Sequence, residues 1–281
     1  MWGMDDHTVA GRVVAVLDAV AVRGQPVTLA DLTREVGIPK PTVRRIAADL
    51  VARKMLQRCA DGRYRLGTHL LDLGTRAAVQ HGLLQAVTPY VQDLFARTGE
   101  IVWVCLTDGS AVTFMASAFG ANRAPDMQRT CWPQDFRSAA LQSSALGRVL
   151  LADRPDLLEE LRGRPPVPQT PHATTSWPRF LAGVQAVRDT AIAVEHQQCL
   201  LGFSCVATGL RGPDGSLIGC IGITGHTGSL STQRLTRPLL AAAHNISRCA
   251  RALHEEPESL GHRAPVRAKG AFGVVDEDDR F

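Results

Sequence analysis

Lys40, Thr42, Arg44 and Arg45 fall in one short run, KPTVRRIAADL, whose apolar stripe is carried by Val43, Ile46, Ala47 and Leu50. Ammonium and guanidinium groups set off the apolar face of a helix do not make or break bonds. They hold anions. Lys40 and Thr42 suit phosphate oxygens, and Arg44 and Arg45 have the reach and donor geometry for guanine edges. A second basic set, Arg58, Arg63 and Arg65, brackets Asp61-Gly62 in MLQRCADGRYRLG, a strong two-residue hairpin signal. Thr28 and Pro41, near the starts of two successive helical patterns, complete the set assigned to a DNA duplex.

The elements that must position these groups are legible around them. Val9, Val13, Val16, Leu17 and Val20 predict a first helix over about 8–22. Thr28 is the N-cap of a second helix whose inner face is Leu29, Leu32 and Val36, with Asp31 at capping-box distance and Gly37 as its stop. A third helix runs over about 40–53, with Pro41 in the first turn where its missing N–H costs nothing. Residues 28–67 thus have the layout of a winged helix-turn-helix. Helix pairs with a glycine turn are common, and charges off an apolar face are ordinarily just solvated. It is the basic hairpin, at the right distance, that turns the reading to double-stranded DNA.

Charge distribution points the same way. Residues 1–80 hold 12 Lys/Arg against 8 Asp/Glu, and residues 81–281 hold 19 of each, so the whole net charge of +4 lies in the N-terminal segment. That is the pattern expected when one domain meets phosphate and the other does not. The hydrophobic fraction, 45%, is that of a globular protein. No apolar run approaches the ~20 residues that span a bilayer, and MWGMDDHTVAGR lacks a signal-peptide pattern, so a cytoplasmic protein without membrane association is expected. Seven cysteines, at 59, 105, 131, 199, 205, 220 and 249, are odd in number and never spaced CxxC, which argues against a disulfide framework or a zinc ribbon. No GxSxG, HExxH or P-loop is present. The expectation is no catalysis, no metal and no cofactor.

Beyond residue 67, THLLDLGTRAAVQ predicts a linker helix over 68–80 and residues 84–98 another helix. IVWVCLTDGSAVTFMASA predicts a hairpin about Asp108-Gly109. Residues 138–152 read as one helix, followed by helices over 155–162 and 179–190 on either side of a proline-rich loop. AIAVEHQQ, FSCVATGL and SLIGCIGITG read as strands, and a last helix runs from about Thr232 to His254. Strands joined by hairpins, without regular alternation with helices, indicate an α+β domain with an antiparallel sheet. The expected domains are 1–67 (winged helix-turn-helix), 68–82 (linker helix), 83–254 (effector binding and oligomerisation) and a disordered tail, 255–281.

The run from Leu29 through IPKPTVRRIAADLVARKMLQR to DGRYRLG resembles the IclR family of bacterial transcription regulators, and the likeness continues more loosely to about residue 253. The resemblance implies a GAF/PAS-like C-terminal domain and a homodimer, or a dimer of dimers, on a pseudo-palindromic operator. It also implies a small-molecule effector, an organic acid or related metabolite. In LQSSALGRVLLA, Ala145 and Leu146 match the positions whose N–H groups meet a ligand carboxylate, at a helix N-terminus where anions are favoured. Glu195, Cys205, Gly222 and Thr224 match the remaining walls. Departures accompany the match: Gln142 stands for the motif histidine, Arg148 for its lysine, Gly222 for a common serine, Gln198 for a glutamate and Gly209 for a proline. A ligand-independent regulator with a degenerate pocket is therefore one alternative, and a small-molecule enzyme using Cys205 another. The plain readings are that Cys205 is a core residue, that Glu195 faces solvent, and that His226 and His244 are surface or packing residues. His196, Cys199 and Cys205 on strands lack the convergence a metal needs.

Overall fold

The computed structural model describes residues 8–80, 82–108, 111–129, 139–162, 164 and 166–255, in two compact units, 1–85 and 86–281. The tip of the hairpin expected about Asp108-Gly109, and the tail expected over 255–281, lie wholly or almost wholly outside the described residues.

In the first unit the local signals do what their chemistry allows. Helices α1 (Val9–Val22), α2 (Leu29–Val36) and α3 (Lys40–Ala52) are followed by strands β1 (Leu56–Arg58) and β2 (Tyr64–Leu66). Thr28 caps α2 reciprocally: its Oγ1 accepts the Asp31 N–H at 3.1 Å, and the Asp31 carboxylate accepts the Thr28 N–H at 3.4 Å. Gly37 ends α2 with φ +66°, a left-handed turn that glycine makes without steric cost. β1 and β2 pair antiparallel, Leu56 opposite Leu66 and Arg58 opposite Tyr64. The hairpin is fastened to the helices by a bridge between Val27 and Tyr64. Val16, Val20, Leu32, Val43, Ile46, Ala47, Leu50, Leu56 and Tyr64 form one buried cluster. That cluster fixes α3 and the hairpin against the same core. Helix α4 (Thr68–Gln80) follows, with no buried residue and with Leu71, Leu73 and Val79 exposed.

The second unit begins in α5 (Leu83–Thr98) and is built on a five-stranded antiparallel sheet. Its strands are β3 (Ile101–Asp108), β4 (Ala111–Ala118), β5 (Ala193–His196), β6 (Phe203–Arg211) and β7 (Leu217–His226), in the order β4-β3-β7-β6-β5. Between β4 and β5 lie α6 (Ala124–Arg129), α7 (Ala139–Ser143), α8 (Ala145–Asp153), α9 (Pro155–Glu160) and α10 (Trp177–Thr190); α11 (Thr232–Glu255) follows β7. α8 and α10 join the core on one face, with Leu146, Val149, Leu150, Phe180 and Val184 against Trp103, Cys205, Ala207 and Cys220. α11 packs on β6 and β7, where the Arg211 N–H donates to Ser247 Oγ at 2.9 Å.

The single helix read over 138–152 is two helices. Ser144 is extended (φ −91°, ψ 154°) and its Oγ accepts the Gly147 N–H at 3.0 Å, restarting the chain as α8. Gly147 permits the break, because a Cβ there would lie 1.7 Å from the Leu141 carbonyl oxygen. The apolar pattern hides the break because nearly every residue from Ala140 to Leu151 is buried, so the pattern carries no phase. α6 falls in a stretch for which no element is read from the sequence.

Candidate nucleic-acid interface and effector site

Lys40, Pro41, Arg44 and Arg45 are exposed on α3, and Thr42 is half-buried beside them. The buried residues of the helix are Val43, Ile46, Ala47 and Leu50, as the stripe requires. Arg58, Arg63 and Arg65 are exposed on the hairpin. Some of these cations, like others in the same unit, are already paired. Arg23 meets Glu35 at 3.0 Å, Arg34 meets Asp31 at 3.4 Å, Arg63 meets Asp61 at 3.5 Å and Arg76 meets Asp72 at 3.0 Å. Arg65 donates twice to the Gln57 side chain. Among the described residues, Lys40, Arg44, Arg45 and Arg58 make no ion pair and are left for an outside anion, as are the exposed Arg53 and Lys54 at the end of α3. Thr28 is committed elsewhere: its hydroxyl donates to Asp31 at 2.6 Å besides accepting the cap bond.

The six positions matched to an effector site are all buried, Ala145, Leu146, Glu195, Cys205, Gly222 and Thr224 alike. Register accounts for the convergence. Ile101, Thr224, Cys205 and Glu195 form one row across β3, β7, β6 and β5, and Trp103, Gly222 and Ala207 form the next. Thr224 donates its hydroxyl to Cys205 Sγ at 3.3 Å and accepts the Trp103 indole N–H at 3.0 Å. The indole lies directly on Gly222, where a Cβ would come within 2.2 Å of its ring. At the start of α8 the Gly147 N–H is taken by Ser144, which leaves the first-turn N–H groups of Ala145 and Leu146 without an intrahelical acceptor.

Glu195 points into the core and not to solvent. Its carboxylate accepts the N–H groups of Gln198 at 2.8 Å and Cys199 at 3.4 Å. Burial nevertheless pushes its pKa up from 4.5 to about 7, against those bonds and the charge of Arg148. Arg148 is buried too. It donates to the Val194 carbonyl and the Gln198 side chain, while its Nε has no partner, and burial lowers its pKa. Burial first, and Glu195 second, push the Cys205 thiol far above the ordinary thiol range.

The shifted Glu195 has a consequence for stability. Below about pH 4.5 the carboxyl is protonated folded and unfolded; between there and about 7 only the unfolded chain loses the proton, so its stabilising contribution falls as pH rises and is gone above about 7. Glu195→Gln should therefore gain on the parent as pH goes from about 5 to about 8, by up to roughly 3 kcal/mol. Melting curves across that range test this, and a difference that does not change with pH would refute the buried charge.

Trp103 and Arg148 are buried beside the matched positions but are not among them. Arg148 was visible only as a departure from the motif. Trp103 carried one signal, a large aromatic in a strand facing a glycine, but the facing depends on register. His226 is an exposed partner of Asp126 at 3.2 Å, and His244 is exposed on α11. Among the described residues no group of three or more His, Cys, Asp or Glu is arranged to hold a metal ion, and no helix is long and apolar enough to cross a membrane.

Residues 75–248 match the model for the bacterial transcriptional regulator IclR C-terminal domain, and residues 9–59 match the IclR helix-turn-helix domain. The HTH-type transcriptional repressor AllR of Escherichia coli K12 is 23% identical over 228 residues, covering 79% of this chain and 82% of AllR. An IclR homologue from Microbacterium hydrocarbonoxydans, crystallised with 4-hydroxybenzoate, is similar in fold with TM-score 0.72 at 21% identity, covering 87% of this chain and 100% of the other. An IclR regulator from Alicyclobacillus acidocaldarius gives TM-score 0.70 at 20% identity, covering 85% and 98%.

Proposed function

The chain belongs to the IclR family of bacterial transcription regulators, with a helix-turn-helix DNA-binding domain and a C-terminal effector domain, and from that premise we propose how its residues divide the work. α3 enters the major groove; Arg44 and Arg45 read base edges, while Lys40, Pro41 and Thr42 seat its first turn on the backbone. Arg58, Arg63 and Arg65 hold the wing against flanking phosphates. Thr28 contributes by fixing α2, which braces α3. The observation that carries this is that Lys40, Arg44 and Arg45 on α3 and Arg58 on the hairpin are exposed and, among the described residues, have no carboxylate partner.

Residues 1–67 then form the DNA-reading part, 68–82 the linker and 83–254 the effector part. A homodimer, or a dimer of dimers, sets two recognition helices on the half-sites of a pseudo-palindrome. The exposed Leu71, Leu73 and Val79 of α4 support association there. A small organic acid is the effector class: its carboxylate meets the Ala145 and Leu146 N–H groups at the start of α8, and its body meets Glu195, Cys205, Gly222 and Thr224. The fold neighbour crystallised with 4-hydroxybenzoate is consistent with that class. An effector alters DNA binding only to the extent that it prefers one arrangement of the protein. Catalysis through Cys205 is disfavoured by a buried thiol held in its protonated form. The regulator works in the cytoplasm, where its DNA is.

Lys40→Ala tests the interface. It should weaken binding to operator and unrelated DNA alike and reduce the salt dependence, the slope of log K on log salt, by about 1 per protomer. A loss confined to the operator would show that Lys40 reads bases, and no loss would remove it from the interface.

A further inference from the structure

We propose that Trp103 is the chain's own occupant of the effector site, seated on Gly222 and bonded to Thr224 where the ring of an aromatic effector would lie, so that the site admits such a ligand only when this side chain is shortened or displaced. The proposal rests on the effector-site assignment above.

Two observations and one physical argument support it. First, the seat is specific. Trp103 stands opposite Gly222 in the β3–β7 register, and a Cβ on residue 222 would come 2.2, 2.6 and 2.7 Å from three ring carbons. A serine at 222, the residue the family resemblance leads one to expect, is incompatible with the indole in this position. The glycine that looks like a defect in the pocket is thus the complement of the tryptophan.

Second, the indole uses the site's own polar group. A buried indole N–H needs an acceptor, and Trp103 finds it in Thr224 Oγ1 at 3.0 Å, whose hydroxyl in turn donates to Cys205 Sγ at 3.3 Å. Both partners are effector positions. The ring is closed in further by an edge contact to Phe114, centroids 6.0 Å apart at 60°, and its exposure is 1%.

Third, tethering gives the side chain the advantage. A group attached to the backbone competes at the effective concentration of an intramolecular ligand, on the order of millimolar or higher. A free aromatic acid must displace it and find a new place for a large buried ring. While the ring is seated the domain holds one arrangement, and an effector alters operator binding only by displacing it.

The test uses the full chain with Trp103→Ala and the milder Trp103→Leu, which retains more of the packing in case the alanine variant fails to fold. Indole is the probe. Melting temperature and operator affinity are measured for parent and variants, with and without it. The expected result is no melting shift in the parent, a rise in each folded variant, and an operator affinity altered at least about tenfold in the variants that indole returns toward the parent value. A parent that gains as much from indole as the variants do overturns the proposal, because its site is then open. Variants that bind indole with operator affinity unchanged throughout also overturn it, making Trp103 a packing residue only. Failure of the effector-site assignment looks different: an organic acid that releases parent from operator does so equally in the variants and in Glu195→Gln.

Discussion

Arg44→Ala combined with Arg45→Ala is expected to abolish discrimination between operator and unrelated DNA while leaving the fold intact. Both side chains are exposed, neither touches the buried stripe of α3, and neither has an ion-pair partner among the described residues. Their removal therefore leaves no cavity and strands no buried charge. Each arginine that reads a guanine edge contributes about 1–3 kcal/mol of discrimination, so the pair amounts to about 2–6 kcal/mol, or roughly 30-fold to 10⁴-fold in relative affinity. Weak, salt-sensitive binding should survive through Lys40 and the wing. Competition gel shifts, with circular dichroism to check folding, separate the two components. A folded double variant that still prefers its operator as strongly as the parent would mean that bases are read elsewhere.

The second large effect concerns the core of the effector domain. Gly222→Ser should destabilise that unit by the 1–3 kcal/mol typical of overpacking or somewhat more, because the new Cβ falls 2.2 Å from the Trp103 ring and aromatic rings cannot yield as a flexible chain end can. In a Trp103→Leu background the same substitution should cost little. The coupling energy from this double-mutant cycle, about 1–3 kcal/mol, is the quantity of interest. Denaturation of the four proteins measures it. Additive effects would show that Trp103 and residue 222 do not share one space in solution.

What the sequence makes legible depends on how far apart the interacting groups lie. Thr28 and Asp31 are three residues apart, Gly37 ends its own helix, and Asp61-Gly62 makes its own hairpin. These signals act over one turn, so the DNA-reading unit could be drawn from them. The candidate effector site is assembled across strands. Trp103 and Thr224 are 121 positions apart, and only the β3–β7 register makes them neighbours. The family pattern supplied the positions at 145, 146, 195, 205, 222 and 224, but nothing in it indicates which group fills the space between them. The burial of Glu195 was equally hidden, because a short strand such as AVEH shows its faces only once its partner is known. The break at Ser144 was hidden for the reason that makes α8 central: it is buried along almost its whole length.

Specific recognition by α3 and the wing is the central claim, and one titration addresses it: the purified chain against the DNA upstream of its own gene and against a scrambled duplex of equal composition, at a fixed near-physiological salt concentration. The predicted result is an affinity for the upstream fragment at least about 10³-fold higher than for the scrambled one, a ratio that collapses in the Arg44→Ala/Arg45→Ala protein. Equal affinities of the parent for the two duplexes, or a ratio that survives the double substitution, would contradict it.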